Sequence, residues 1–219
     1  MRVIDVTGVI ENQMWHYADP VTPPVIEPIA SLEDAAGWEA HRMTLCTLTG
    51  TYLEAGAHLL PGGEKIAEVA PERLIRPASI LQLPDCAPGY AITARDLTAT
   101  GIQPGAGDAV LIATGWDRMW NSPRYVEDSP YLTPEAMRWL VDAGASIIGG
   151  DMPCFDNPAS PQGVNYTLFR AGCLILAPLV NLRHALSGSR LWLIALPLKV
   201  KGVCGTPCRA VLVEGGFGG

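Results

Sequence analysis

Glu54 and His58 stand four residues apart in the stretch Gly50-Thr51-Tyr52-Leu53-Glu54-Ala55-Gly56-Ala57-His58. An imidazole titrates near neutrality, and a neighbouring carboxylate orients the ring and raises its pKa, so the pair has the composition of a general acid/base unit. The spacing puts both side chains on one face of a helix, and equally on one face of a strand, because four is a multiple of two. An ordinary satisfied surface or core pair carries the same signature. Six cysteines, at 46, 86, 154, 173, 204 and 208, are irregularly spaced and read as free thiols of a reducing compartment. Cys204 and Cys208 form one C-x3-C pair, open to a local disulfide, but a structural zinc needs four ligands and no second pair has suitable spacing. Cys154 has no histidine near it in sequence and is a poor candidate nucleophile.

These residues must be positioned by a mixture of strands and helices. Met1 to Val6 reads as a strand rather than a signal peptide, and the prolines from Pro20 to Pro28 exclude a long helix, predicting an extended arm over residues 15–30. His41 to Leu53 reads as one strand, followed by a loop around Pro61-Gly62-Gly63. Ser79–Leu83 reads as a short strand, Thr93 opens a brief helix, and Ala109–Thr114 is a buried strand by its continuous apolar character. A helix over Pro134–Ala143 has Thr133 as N-cap, Pro134 in its first turn and Gly144 as its stop. Ser146–Asp151 reads as a strand running into a loop, and Asn165–Ala171 as a second full helix. Cys173–Leu176, Leu191–Leu196 and Ala210–Glu214 complete the core strands, with Pro197 marking a sheet edge or bulge and residues 215–219 a flexible Gly-rich tail. The expectation is an α/β fold with a strand-rich core in one domain spanning 1–219.

Bulk properties exclude several function classes. The net charge is −7 and there is no run of Lys or Arg, so nucleic acid is not an expected partner. No apolar run reaches the roughly 18 residues of a bilayer span, so no membrane partner is expected and cytoplasm is the expected location. Only 17% of residues are charged, consistent with surface covered by another subunit.

The segment around Glu54 and His58 resembles the His-x-Gly-Thr-His-x-Asp-x-x-x-His motif of the cyclase family, which includes bacterial kynurenine formamidase and isatin hydrolase. Further stretches are similar in the same order: Gly107-Asp108-Ala109-Val110-Leu111 with Thr114-Gly115-Trp116; Tyr131-Leu132-Thr133-Pro134-Glu135-Ala136; Ile148-Gly149-Gly150-Asp151; and Leu196-Pro197-Leu198-Lys199 through Gly205-Thr206-Pro207-Cys208-Arg209-Ala210. The resemblance implies the family's swivelling β/β/α fold, a small-molecule substrate, and assembly as a homodimer or homotetramer.

The resemblance also implies a metal centre, and here the chain departs from the pattern. Leu48 and Tyr52 stand where the family has ligand histidines, Glu54 where it has a bridging aspartate, Asn165 at a later histidine and Ala177 at a later glutamate. His58 is kept, at the family's acid/base position. No metal cofactor is therefore expected, with one weakly held zinc or manganese ion as the alternative. Without metal-activated water, reactions needing only proton transfer remain: cyclisation, dehydration or elimination, and opening of a lactone or activated ester. His58 is expected to act as acid/base and Glu54 to orient it. Tyr52 and Asn165 would donate to a developing oxyanion, Trp15 and Tyr17 would cap the pocket or simply pack, and Asp151 would bound it or cap its own loop. Two alternatives stay open: a metal-dependent amide or lactone hydrolase with altered ligands, and a non-catalytic binding or scaffolding protein.

Overall fold

The computed structural model describes residues 1–35, 37–185 and 191–215, so the expected tail lies, beyond Gly215, outside the described residues. In chain order the strands and helices are β1 (Arg2–Asp5), β2 (Val25–Ala30), β3 (Ala40–Thr44), β4 (Tyr52–Glu54), β5 (Ile75–Gln82), β6 (Ala91–Ile92), α1 (Ala94–Ala99), β7 (Ala109–Ala113), β8 (Tyr131–Leu132), α2 (Pro134–Asp142), β9 (Ile147–Gly150), α3 (Val164–Arg170), β10 (Leu174–Ala177), β11 (Leu191–Pro197) and β12 (Gly205–Glu214).

The main sheet runs β1-β12-β11-β5-β7-β9-β10-β4, and β4 pairs back onto β12. Seven strands thus close into a barrel, with β1 lying along the far end of β12. β5, β7, β9 and β10 are parallel; the remaining pairings of this sheet are antiparallel. Alternation along β7 explains the two-sided core. Ala109, Leu111 and Ala113 belong to one buried cluster with Leu53, Leu176, Leu193 and Leu212. Val110 and Ile112 belong to the other, with Leu97, Leu140 and Leu168 of the three helices. A strand buried on both faces has no polar positions, which is why β7 is apolar throughout.

The helix over Pro134–Asp142 forms as expected: the Thr133 hydroxyl accepts from the Ala136 N–H at 3.2 Å and Pro134 occupies the first turn. The expected single strand over 41–53 is instead two. β3 pairs with β2 in an exposed hairpin, and the chain then turns toward the barrel before β4 begins. Thr51 is spent on anchoring this crossing, donating to the Pro178 carbonyl at 2.6 Å and accepting from the Gly8 N–H. The proline-rich arm is extended, but its second half is β2, with a bulge between Pro28 and Ala30 where a proline cannot support the ladder. β5 begins earlier than expected because Ile75–Ala78 pair with β11, and Pro77 is tolerated there because it lies before Ala78, the first residue paired with β7. Pro197 lies beyond the last residue of β11 that pairs with β5, so its missing N–H breaks no bond on that side.

Candidate active site

β4 is three residues long and sits between β10 and β12. Glu54 is opposite Ile175 on one side and Gly205 on the other; Tyr52 is opposite Ala177 and Pro207. Leu53 points into the barrel, so Tyr52 and Glu54 share the outer face, toward the helices and the N-terminal arm. After β4 the chain makes a single tight turn, Gly56–His58, in which the His58 N–H bonds the Ala55 carbonyl at 3.1 Å and the Ala57 N–H bonds Glu64 at 3.0 Å. Gly63 closes this turn: a Cβ there would lie 2.6 Å from the Gly56 carbonyl carbon and 2.7 Å from the Ala57 nitrogen. The spacing of Glu54 and His58 is therefore realised by a strand end followed by a turn, rather than by one helix or one strand.

Glu54 Oε1 lies 2.8 Å from His58 Nδ1. The carboxylate side chain is 4% exposed and the imidazole 34%. The contact is close but bent, so Oε1 still lacks a well-directed donor. Cys204, just before β12, reaches the same imidazole, with Sγ 3.7 Å from Nδ1. Its backbone is held against the pair, because the Ala55 N–H donates to the Cys204 carbonyl at 2.8 Å. Cys204 and Glu54 together push the His58 pKa up to about 10, against the opposing effect of burial. At neutral pH the ring is an imidazolium, which suits a proton donor.

Tyr17 and Tyr52 share a hydrogen bond at 2.9 Å, and Tyr17 donates to the Pro153 carbonyl at 2.9 Å. Burial pushes both phenols well above their ordinary pKa, so both are neutral hydroxyls. Trp15 packs edge-on against Tyr17 and Trp120, with its indole N–H buried and unpartnered. Asn165 lies one turn before Phe169 on α3; the Phe169 ring is 6.3 Å from the His58 ring, and Asn165 Oδ1 is buried with no partner. Trp15, Tyr17 and Tyr52 thus form one set of contacts and Glu54 and His58 another beside it on β4, with α3 brought against His58 through Phe169.

Asp151 does not join them. It is 1% exposed, and its carboxylate accepts from the Thr114 N–H and hydroxyl and from the Gly115 N–H at 2.6–2.9 Å. It clamps the ends of β7 and β9, and burial raises its pKa to about 6. The Cys154 thiol is pushed up to about 12 by burial, a poor state for a nucleophile. All six cysteines are free thiols. Cys208 faces the barrel core, whereas Cys204 faces the site, and it is the residue sequence reasoning missed. A cleft of about 790 Å³ is lined by Trp15 and Tyr17 but by neither Glu54 nor His58.

This fold and geometry agree with what the chain matches. The family described as putative cyclase matches residues 4–157, more than half of the chain. The chain belongs to the cyclase family. It is similar to a kynurenine formamidase of Geobacillus thermodenitrificans, 30% identical over 173 residues and 78% of each chain. It is also similar to the crystal structure of an isatin hydrolase bound to the product analogue thioisatinate. That match has a TM-score of 0.84 and 26% identity, covering 97% of this chain and 92% of that one. A third likeness, to a predicted metal-dependent hydrolase from Bacillus stearothermophilus, has a TM-score of 0.77 and 26% identity over 96% and 97% of the two chains.

The metal centre that the family resemblance implies does not fit these side chains. Leu48 and Ala177 have no donor atom. The Tyr52 hydroxyl is tied to Tyr17, and a carboxamide is a weak ligand for zinc or manganese. Leu48 fills space beside the pair: its Cδ2 lies 3.0 Å from where a Cβ on Gly205 would be.

Proposed function

We propose that this protein is a cyclase-family enzyme that acts on a small molecule by proton transfer through His58, without the family's metal centre. The observation that carries this is the Glu54–His58 pair, 2.8 Å apart with the carboxylate buried, amid ligand positions turned to Leu48, Tyr52, Asn165 and Ala177. An imidazolium held at Nδ1 by Glu54 is left to donate from Nε2. Among the described residues nothing bonds that nitrogen. Donation to an oxygen that departs or gains charge fits dehydration or elimination, ring closure, and opening of a lactone or activated ester. Such a donor contributes about 10²–10⁴-fold, enough for an activated acyl group and too little for an unactivated amide.

Asn165 would offer its amide N–H to the same developing charge, while Tyr52, whose hydroxyl proton is spent on Tyr17, would line the site rather than donate. Tyr17 and Trp15 would close the arm side of the site against water. Recruitment to specialised metabolism, a homodimeric or homotetrameric assembly and a cytoplasmic location belong to the same reading. No described helix is long and apolar enough to cross a membrane.

The test assays wild-type protein, His58→Ala and His58→Gln on lactones and activated esters, with an N-formyl anilide and isatin as amide controls, with and without a chelator. Turnover of the activated substrates, lost in both variants and indifferent to the chelator, is expected. Loss on chelation, restored by zinc or manganese, would overturn it and favour the metal-dependent hydrolase. Failure of every substrate would favour the binding protein.

A further inference from the structure

Glu54, His58 and Cys204 offer three ligand atoms that all lie within 4.8 Å of one another. We propose that they form a site for a single thiophilic divalent cation, zinc above others, that competes with proton transfer by taking the same Nδ1 and Oε1. The inference concerns regulation of the site described above, and its competitive consequence rests on that reading of His58.

The geometry is close to what a tetrahedral ion needs. Zn–N and Zn–O bonds near 2.0–2.1 Å and Zn–S near 2.3 Å put N and O about 3.3 Å apart and N and S about 3.6 Å apart. Here Nδ1 and Sγ are 3.7 Å apart, and Nδ1 and Oε1 are 2.8 Å apart. The Nδ1–Sγ distance already fits, the Nδ1–Oε1 distance need open by about 0.5 Å, and Sγ lies within 4.8 Å of the carboxylate oxygen. The second observation is independent of the spacing. Glu54 is 3% exposed, yet its Oε1 has no well-directed hydrogen bond. A buried carboxylate oxygen needs a positive partner, which the imidazolium 2.8 Å away supplies in the metal-free protein and the cation would supply with better direction. Cys204 also cannot drift away, because its carbonyl is bonded to the Ala55 N–H and Val203 is bonded to Ile66.

This differs from the family's centre: it shares only the Glu54 position, uses neither the Leu48 nor the Tyr52 position, and adds a thiolate from the residue before β12. Three protein ligands leave a fourth position for water. The thiolate selects against magnesium, calcium and manganese. The ion and the His58–Glu54 pair exclude each other, because one lone pair on Nδ1 cannot serve both. Metal would bind by displacing the proton on Nδ1 and the thiol proton of Cys204, both released to solvent.

Cobalt(II) titration of the reduced protein is the test. The expected result is one equivalent bound, with a near-ultraviolet thiolate-to-cobalt charge-transfer band and visible bands of tetrahedral intensity, both displaced by zinc. Cys204→Ser should abolish the charge-transfer band. It should also weaken zinc, measured against a chromophoric chelator, by more than about 100-fold, beyond the 10–100-fold typical of outer-shell changes. Cys208→Ser should change neither. Cobalt bound without the band, or a band kept in Cys204→Ser, overturns the site. Activation rather than inhibition of wild-type turnover by zinc overturns the competition. Should His58→Ala prove active, the reading of His58 fails while the cobalt spectrum still reports on the site.

Discussion

Replacing Glu54 by Gln keeps the shape of the side chain and removes its charge, which isolates what the carboxylate does to His58. In the native protein the ring sits 2.8 Å from Oε1 and is a third exposed, and its pKa is raised to about 10 by Cys204 and Glu54. At pH 7.5 that makes the imidazolium about 300 times more abundant than the neutral ring, against roughly one tenth as abundant for an unperturbed histidine near 6.5. An opposite charge at this distance moves a pKa by about 1–3 units, and partial exposure favours the lower half of that range. Glu54→Gln should therefore lower the His58 midpoint by about 1–2 units. Cys204→Ser should lower it as well. Long-range proton–nitrogen NMR of the ring nitrogens from pH 5 to 11 follows this directly, with His58 assigned among the four histidines by its absence in His58→Ala. The sign for stability follows from linkage. A folded pKa above the unfolded value contributes stability that is complete below about pH 6.5 and is lost as pH rises through about 10. The urea-midpoint gap between wild type and His58→Gln should narrow across that window. A native midpoint below pH 7.5, or one unmoved by Glu54→Gln, would refute the reasoning.

Gly63→Ala should press a methyl group onto the backbone of Gly56 and Ala57, destabilising the fold by about 1–3 kcal/mol in urea titration. Because that backbone carries His58, the ring's NMR midpoint should shift too. Asp151→Ala should cost about 3 kcal/mol or more by the same measurement, because it orphans the Thr114 and Gly115 N–H groups between β7 and β9. Tyr17→Phe should cost about 1–3 kcal/mol, removing bonds to both Tyr52 and Pro153. Tyr52→Phe should cost less in the same titration, since Tyr17 keeps its bond to Pro153.

Features governed by neighbours in sequence were legible. Thr133, Pro134 and Gly144 mark the ends of α2 by local chemistry, and the unbroken apolar run of β7 marks a strand covered on both faces. The barrel's closure was not legible. β4 is three residues long, and its partners in β10 and β12 lie more than a hundred residues away, so no local pattern records the pairing. The same distance hid Cys204, which lies 146 residues from His58. Its relation to Cys208 looked like a pair, yet one thiol faces the site and the other the barrel core. Asp151 stands in a motif similar to the family's, which leaves it either bounding the pocket or capping its own loop. Only the coordinates show that its oxygens are consumed by Thr114 and Gly115.

The junction of β10, β4 and β12 explains why the changes from the family pattern occur together. Tyr52 and Ala177 are opposite one another, Glu54 is opposite Gly205, and Leu48 packs against Gly205. A ligand lost at one of these positions opens space that a neighbour must fill, and a phenol and a leucine now occupy it. Gly205 itself is constrained, since a Cβ would lie 2.8 Å from the Leu53 carbonyl oxygen. That close approach of β12 to β4 is what brings the preceding residue, Cys204, to the imidazole. Simple decay of a metal site would leave His58 without a partner. Here it has two, on strands that the barrel forces together, and both stabilise its charged form. On the proposed reading, the histidine itself carries the positive charge in a place that the family resemblance gives to a cation. In the two proposals above, occupation by zinc through Cys204 and proton donation by His58 are alternative uses of the same donors, decided by which cation sits on Nδ1.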